Sequence, residues 1–231
     1  MEADTLSQAS KVEVEPAKRR QILEGARRVF LADGFDGASM NDIARVAGVS
    51  KGTLYVYFDS KEALFEALIR DDRKQQAERL VFPEGAADPR AQLGAFGRSL
   101  LSLMTQTEML AQVRIVIAAT AKFPNLGRAF YEAGPCYGEK RLAERLEGWR
   151  AAGLLSFPDG RLAARQFIDL CKSGLFTACL LGVTEVATPE TIAETVGHAV
   201  DIFMRVYGAQ GAAPSSASTS LASEAGVSVG A

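Results

Sequence analysis

The chain has 231 residues, 48% hydrophobic and 23% charged, which suits an ordinary globular protein with a real buried core, in one large unit or two modest ones. The opening Met-Glu-Ala-Asp lacks a basic start followed by an apolar stretch, and the apolar run Ile115 to Ala119 is far too short for a bilayer; both point to a cytoplasmic protein with no membrane partner. Net charge is −2, so a uniformly basic nucleic-acid binder is excluded; residues 1–15 hold one Lys and four acids, whereas residues 17–64 hold eight Lys/Arg and six acids, so any charge for nucleic acid must be a local patch near the N-terminus.

In chain order, residues 1–15 are polar and acidic without a period, which predicts a disordered arm. Ile22, Leu23, Ala26, Val29 and Phe30 then recur at helical spacing up to Asp33-Gly34. Ser39-Met40-Asn41-Asp42 has the form of a capping box. Gly48 closes the short helix that follows, Ser50 caps the next, and Asp59-Ser60-Lys61-Glu62 caps a fourth with Leu64, Phe65, Leu68 and Ile69 inward. Asp88-Pro89 and Thr188-Pro189 each place an N-cap before a proline at the first helical position. Gly134-Pro135, Gly153, Pro158-Asp159 and Gly182 punctuate the region between them. The Ala/Ser/Gly-rich stretch 209–231 predicts a flexible tail. The pattern is all-α, about nine helices with no convincing strand.

Residues 39–58 carry the chemistry. Two short helices joined by Gly48-Val49-Ser50 make a helix-turn-helix, with Ala44 and Ala47 small enough for a close crossing. The second helix opens with Ser50, Lys51, Gly52 and Thr53. Free N–H groups, one charge and two hydroxyls there favour phosphate oxygens, and Gly52 permits close approach to DNA. Tyr55 and Tyr57 diverge, so at least one faces outward.

The run from Ser39 through Phe58 and on to Leu64, with its ending Tyr-x-Tyr-Phe-x-Ser-Lys-Glu-x-Leu, resembles the DNA-binding signature of the TetR family, and Phe30 with Gly34-Phe35 extends the likeness upstream. The resemblance implies that Ser39 and Met40 start a helix whose amides touch phosphate, and that Arg45 faces DNA. It implies that Ser50, Lys51, Gly52, Thr53 and Tyr55 form the reading surface, and that Tyr57 and Lys61 clamp the backbone. Ser39 stands where the family often has Thr, and Val56 where His is frequent, so any contact made by that His is absent. The C-terminal half is similar to the AefR-like branch through Arg114 to Ala119, Lys122 to Leu126, Ala129-Phe130-Tyr131 and Ala152 to Leu155. The implied organisation is an arm over 1–15, a three-helix DNA-binding head over 16–64, a larger ligand-binding and dimerising part over 65–208 and a tail over 209–231.

Candidate pocket residues in the larger part are Phe96, Leu100, Met104, Arg114, Ile117, Phe130, Tyr131, Tyr137, Phe167 and Cys171. Any single one of the apolar ones can equally be core. Arg114, inside an apolar run, snorkels out, pairs with an acid such as Glu132, or faces a cavity. Gly174, Ala178 and Gly182 fall four apart on a penultimate helix, and Val196, Val200, Phe203 and Tyr207 stripe the last one; these faces suit a four-helix dimer interface, or else the monomer's own core. Cys136, Cys171 and Cys179 are too few for a disulfide framework and read as small buried hydrophobes, a redox switch being the alternative. His198, the lone histidine, has no ligand-spaced partners and belongs on a helix surface or interface.

The expected partners are double-stranded operator DNA, a small-molecule effector and a second copy of the chain, with no metal or cofactor. The expected function is a sequence-specific transcriptional regulator, by family default a repressor released by its ligand; an activator or a ligand-independent DNA binder of the same fold is the alternative. No nucleophile elbow, phosphate loop or paired catalytic carboxylates point to an enzyme.

Overall fold

Local capping rules account for where most helices start. In the computed structural model, which describes residues 2–80 and 88–209, they are α1 (Glu2–Gly37), α2 (Met40–Ala47), α3 (Lys51–Tyr57), α4 (Lys61–Arg79), α5 (Pro89–Met104), α6 (Thr107–Thr120), α7 (Pro124–Tyr131), a π-helical turn (Glu132–Cys136), α8 (Tyr137–Ala151), α9 (Gly160–Lys172), α10 (Leu175–Leu180) and α11 (Pro189–Tyr207). The architecture is all-α as the sequence pattern predicts; among the described residues the only β-type pairing is an isolated antiparallel bridge between Leu155 and Gly208. The predicted caps are present: Asp88 accepts from the Arg90 and Ala91 amides, and Thr188 from that of Thr191. No helix among the described residues is long and apolar enough to cross a membrane. The predicted tail, from 210 on, lies outside the described residues.

Three segments differ from the sequence expectation. Residues 2–15, expected without order, continue α1 from Glu2, across Pro16. Gly134-Pro135 does not separate two helices, because the wider π turn relieves the clash an internal proline makes and joins α7 to α8. The penultimate helix is broken instead. Gly174 takes φ 72°, a conformation that penalises a β-carbon, and α9 and α10 become separate helices. The segments therefore outnumber the nine or so expected.

Two apolar cores result. The head core gathers Ile22, Leu23, Phe30, Ile43, Leu54 and Phe58 from α1–α3 and continues past residue 64 through Leu68 and Ile69. It also takes Val116 and Ala119 of α6 and Leu126 of α7. Phe65 sits edge-on to Phe30 at 4.7 Å, and Phe35 meets Phe123 at 5.0 Å, so aromatic packing ties the head to the larger part. The second core packs α5, α8, α9 and α11 around Leu93, Phe96, Leu146, Phe167, Val196 and Phe203. α5 comes so close that a β-carbon on Gly97 would lie 2.7 Å from Val196.

Candidate nucleic-acid interface and helical cavity

α2 opens on a reciprocal cap: the Asp42 amide donates to Ser39 Oγ at 3.2 Å, and the Ser39 hydroxyl donates to Asp42 Oδ2 at 2.6 Å. The Ser39 hydroxyl first, and Arg45 at 3.1 Å second, hold the Asp42 carboxyl below its ordinary range. The helix ends at Gly48, whose left-handed φ of 68° costs a residue with a β-carbon roughly 1 kcal/mol or more. Val49 N–H then donates to Ala44 O at 3.0 Å, and Val49 packs on the head core in the angle between the helices. α3 starts at Ser50, whose Oγ accepts from the Thr53 amide at 3.0 Å and lies 2.8 Å from the Thr53 hydroxyl. α1 braces the unit from behind. Gln21 donates to Ala47 O at 2.6 Å, and Gly25 lies against Ala47.

This frame turns Arg45, Lys51, Gly52 and Tyr55 outward, with Thr53 half-buried beside them and Lys51 Nζ 6.0 Å above the Tyr55 ring. A β-carbon at Gly52 would meet only Ser50 Oγ, at 3.8 Å, so nothing inside the protein requires the missing side chain. Met40 and Tyr57 are half-buried against the head core. Lys61 is engaged internally: its ammonium donates to Phe35 O at 2.7 Å and Ala38 O at 3.0 Å and sits 4.6 Å over the Phe35 ring. It holds the α1–α2 corner and keeps one N–H to spare.

A second polar cluster, not singled out from the sequence, lies on α4. Asp72 is buried and pairs with Arg27 of α1. It also accepts from Gln112 Nε2 of α6 at 2.6 Å. Gln112 Oε1 in turn accepts from Arg73 Nη2 at 2.7 Å. Arg73 is only 6% exposed and donates through Nη1 to Gln76 Oε1 at 2.9 Å and to Met109 Sδ. It lies 4.2 Å over the Phe130 ring, and its Nε–H has no partner. Burial pushes the guanidinium down to about 10, which leaves it cationic at neutral pH. A signal for this cluster exists in the sequence: the inward register 64, 65, 68, 69 continues to 72 and 73, so the apolar face of α4 ends in an acid and a base.

Arg73 also lines a cavity of about 390 Å³ walled by α4 to α10 and the π turn. Its wall includes Leu100, Met104, Phe130 and Tyr131, as the sequence suggested. The other predicted pocket residues lie elsewhere. Phe96, Phe167 and Cys171 are packed in the second core, where burial pushes the Cys171 thiol up to about 12. Ile117 and Tyr137 are exposed. Arg114 takes the first of its three expected roles: it is exposed, and there it donates to Leu180 O at 2.9 Å and Cys179 O at 3.0 Å, capping α10 from α6. Glu132, its suggested partner, faces Arg70 at 3.8 Å.

Residues 22–68 match the model of the bacterial regulatory proteins of the tetR family, and residues 91–209 match that of the AefR-like transcriptional repressor C-terminal domain. The chain belongs to the TetR family. The HTH-type transcriptional repressor Rv1474c of Mycobacterium tuberculosis is 33% identical over 166 residues, 72% of this chain and 84% of that protein. The solved structure of the flavonoid-responsive regulator FrrA superposes with a TM-score of 0.76 at 36% identity, covering 84% of this chain and 99% of its own. A TetR-family regulator from Mesorhizobium loti gives 0.78 at 27% identity, covering 84% and 98%. These relatives are transcriptional regulators, and this TetR-family chain is a DNA-binding transcriptional regulator with them. The two matched models leave out residues 69–90, the stretch of this regulator that holds Asp72 and Arg73.

The predicted dimer residues need correction in this regulator. Val196, Val200 and Phe203 are buried in the chain's own second core, and Tyr207 packs against it. Gly174 and Gly182 are turn residues with φ 72° and 74°, so no continuous small-residue strip exists. The exposed apolar side chains are different ones: Ile202 and Val206 on the opposite face of α11, and Leu181, Val183 and Val186 beyond α10. His198 is exposed on α11.

Proposed function

We propose that this TetR-family regulator is a repressor that acts as a homodimer on a near-palindromic operator and is released by a small molecule held in the 390 Å³ cavity. The head over 16–64 reads DNA through Arg45, Ser50, Lys51, Gly52, Thr53 and Tyr55, with Ser39, Met40, Tyr57 and Lys61 shaping the phosphate contacts. The larger part over 65–208 binds effector and partner. One observation carries the ligand-responsive reading: the helix that walls the cavity with Arg73 is also the helix that Asp72 ties to α1 of the head. A ligand that favours one position of α4 thereby favours one separation of the two reading helices, and a separation that misses successive major grooves releases DNA. The exposed apolar side chains Ile202, Val206, Leu181 and Val183 supply the surface a second copy covers.

Selection of bound sequences from a random duplex pool, at about 0.15 M salt, tests the DNA half. A palindromic consensus supports a dimeric reader, and absence of enrichment overturns it. The operator so obtained then serves to screen effectors. Flavonoids are the first panel, since one structural relative is named as flavonoid-responsive. A reading without a ligand predicts that no small molecule changes operator affinity.

A further inference from the structure

We propose that the cavity selects an apolar molecule bearing one carboxylate, which pairs with Arg73. The inference rests on the cavity being the effector site. It follows from charge accounting around the wall. Arg73 is almost wholly buried, and among the described residues no carboxylate lies within ion-pairing distance of its guanidinium. Its neighbours are neutral: two glutamines, a thioether and a phenyl face. The adjacent Asp72 is already engaged by Arg27 and Gln112. Its Nε–H has no partner. A buried cation in that state carries a desolvation cost that its neutral contacts only partly offset, and an incoming anion with two oxygens removes it.

The other charges at the wall answer one another. Glu139 is held by Arg165 at 3.1 Å and also meets Arg161, an exposed residue outside the lining, at 3.2 Å, and Asp169 pairs with Lys172 at 2.6 Å. The wall thus carries three cations and two anions, with Arg73 the cation left over. The rest of the lining includes Leu100, Met104, Val113, Ile168 and Phe176, which asks for an apolar body. A neutral ligand satisfies the body and leaves Arg73 uncompensated. A dication or dianion mismatches the single excess charge. The proposed class is therefore a hydrophobic monocarboxylic acid, aromatic or aliphatic.

The test uses the full chain and matched neutral analogues: 2-naphthoic acid against 2-naphthamide, and decanoic acid against decanamide, each titrated by calorimetry and scored for release of operator DNA. The expected result is that at least one acid binds roughly thirtyfold or more tighter than its amide, the lower range for truncating a desolvated charge pair. Arg73→Met should abolish that preference by weakening the acid far more than the amide, and Arg73→Lys should restore part of it. Arg73→Met should fold at least as stably as the parent, because it replaces a buried, unneutralised cation by an apolar chain; its melting curve is the control. Equal affinities of acid and amide, or an acid preference that survives Arg73→Met, overturn the proposal. Leu100→Trp fills the cavity without touching Arg73 and separates the two readings. If amides bind as tightly as their acids, release DNA and are blocked by Leu100→Trp, the effector site stands and the carboxylate class falls. If Leu100→Trp blocks no ligand that releases DNA, the effector site falls as well.

Discussion

Alanine at Gly25 should destabilise the DNA-reading head although alanine is the better helix former. A β-carbon built on Gly25 lies 2.5 Å from Ala47 Cβ, 2.6 Å from Ala47 Cα and 2.8 Å from Ala47 N. Two of those three atoms are backbone, so no rotamer change relieves the contact, and α1 and α2 must separate. Propensity favours alanine by about 1 kcal/mol. Forcing a methyl into a closed crossing costs typically ~1–3 kcal/mol, and occasionally more. Separation also lengthens the 2.6 Å bond from Gln21 to Ala47 O, which is worth about 1 kcal/mol. The net expectation is a loss of about 1–3 kcal/mol, read as a lower urea midpoint by circular dichroism at unchanged slope. Operator affinity should fall in step, because α2 carries the turn that aims α3. Ala47→Gly in the same background removes only the Cβ contact, so it should restore part of the loss. Should Gly25→Ala prove as stable as the parent, or gain the full propensity term, the close crossing and the reasoning built on it are wrong.

Lys51→Ala should weaken binding to operator and random duplex alike and reduce the salt slope by about one, whereas Tyr55→Ala should harm the operator preferentially; equal losses on both DNAs contradict Tyr55 as a reader. Val206→Asp, at a side chain 64% exposed and facing away from the core, should yield a folded monomer in sedimentation, while a persisting dimer moves the interface elsewhere. Gln112→Leu breaks the bridge between Arg73 and Asp72, so effector binding should persist within severalfold while DNA release weakens by about 1–2 kcal/mol of coupling; unchanged release assigns the coupling to other contacts. Cys171 should resist iodoacetamide at pH 8 until the chain unfolds, since burial holds its thiol near 12 against an ordinary 9.0. The same shift contributes stability that is whole below pH 9 and declines as pH rises toward 12, because only the unfolded chain releases that proton in this window. Rapid labelling of native Cys171 refutes its placement.

Much of this fold was legible because its signals act over three or four residues. The caps at Ser39, Ser50, Asp88 and Thr188 bond to amides two or three positions on, and the left-handed turn at Gly48 is a property of one residue. The reading surface followed from the same local logic, since Ser50 to Tyr55 occupy under two turns of one short helix. What the tertiary structure decided was the partner of each face. The stripe Val196, Val200, Phe203 announces burial, yet a 3.6-residue period is identical whether the covering surface is α5 and α9 of the same chain or a second copy. Arg114 found carbonyls 65 and 66 positions away, and Asp72 and Arg73 found Arg27 and Gln112 at 45 and 39. Such pairings depend on the path of the whole chain. The cavity was hidden most completely: Leu100 lines it and Phe96, one turn earlier on the same helix, is core. The difference between them is empty space, which is made by the packing of seven helices and written in no single residue.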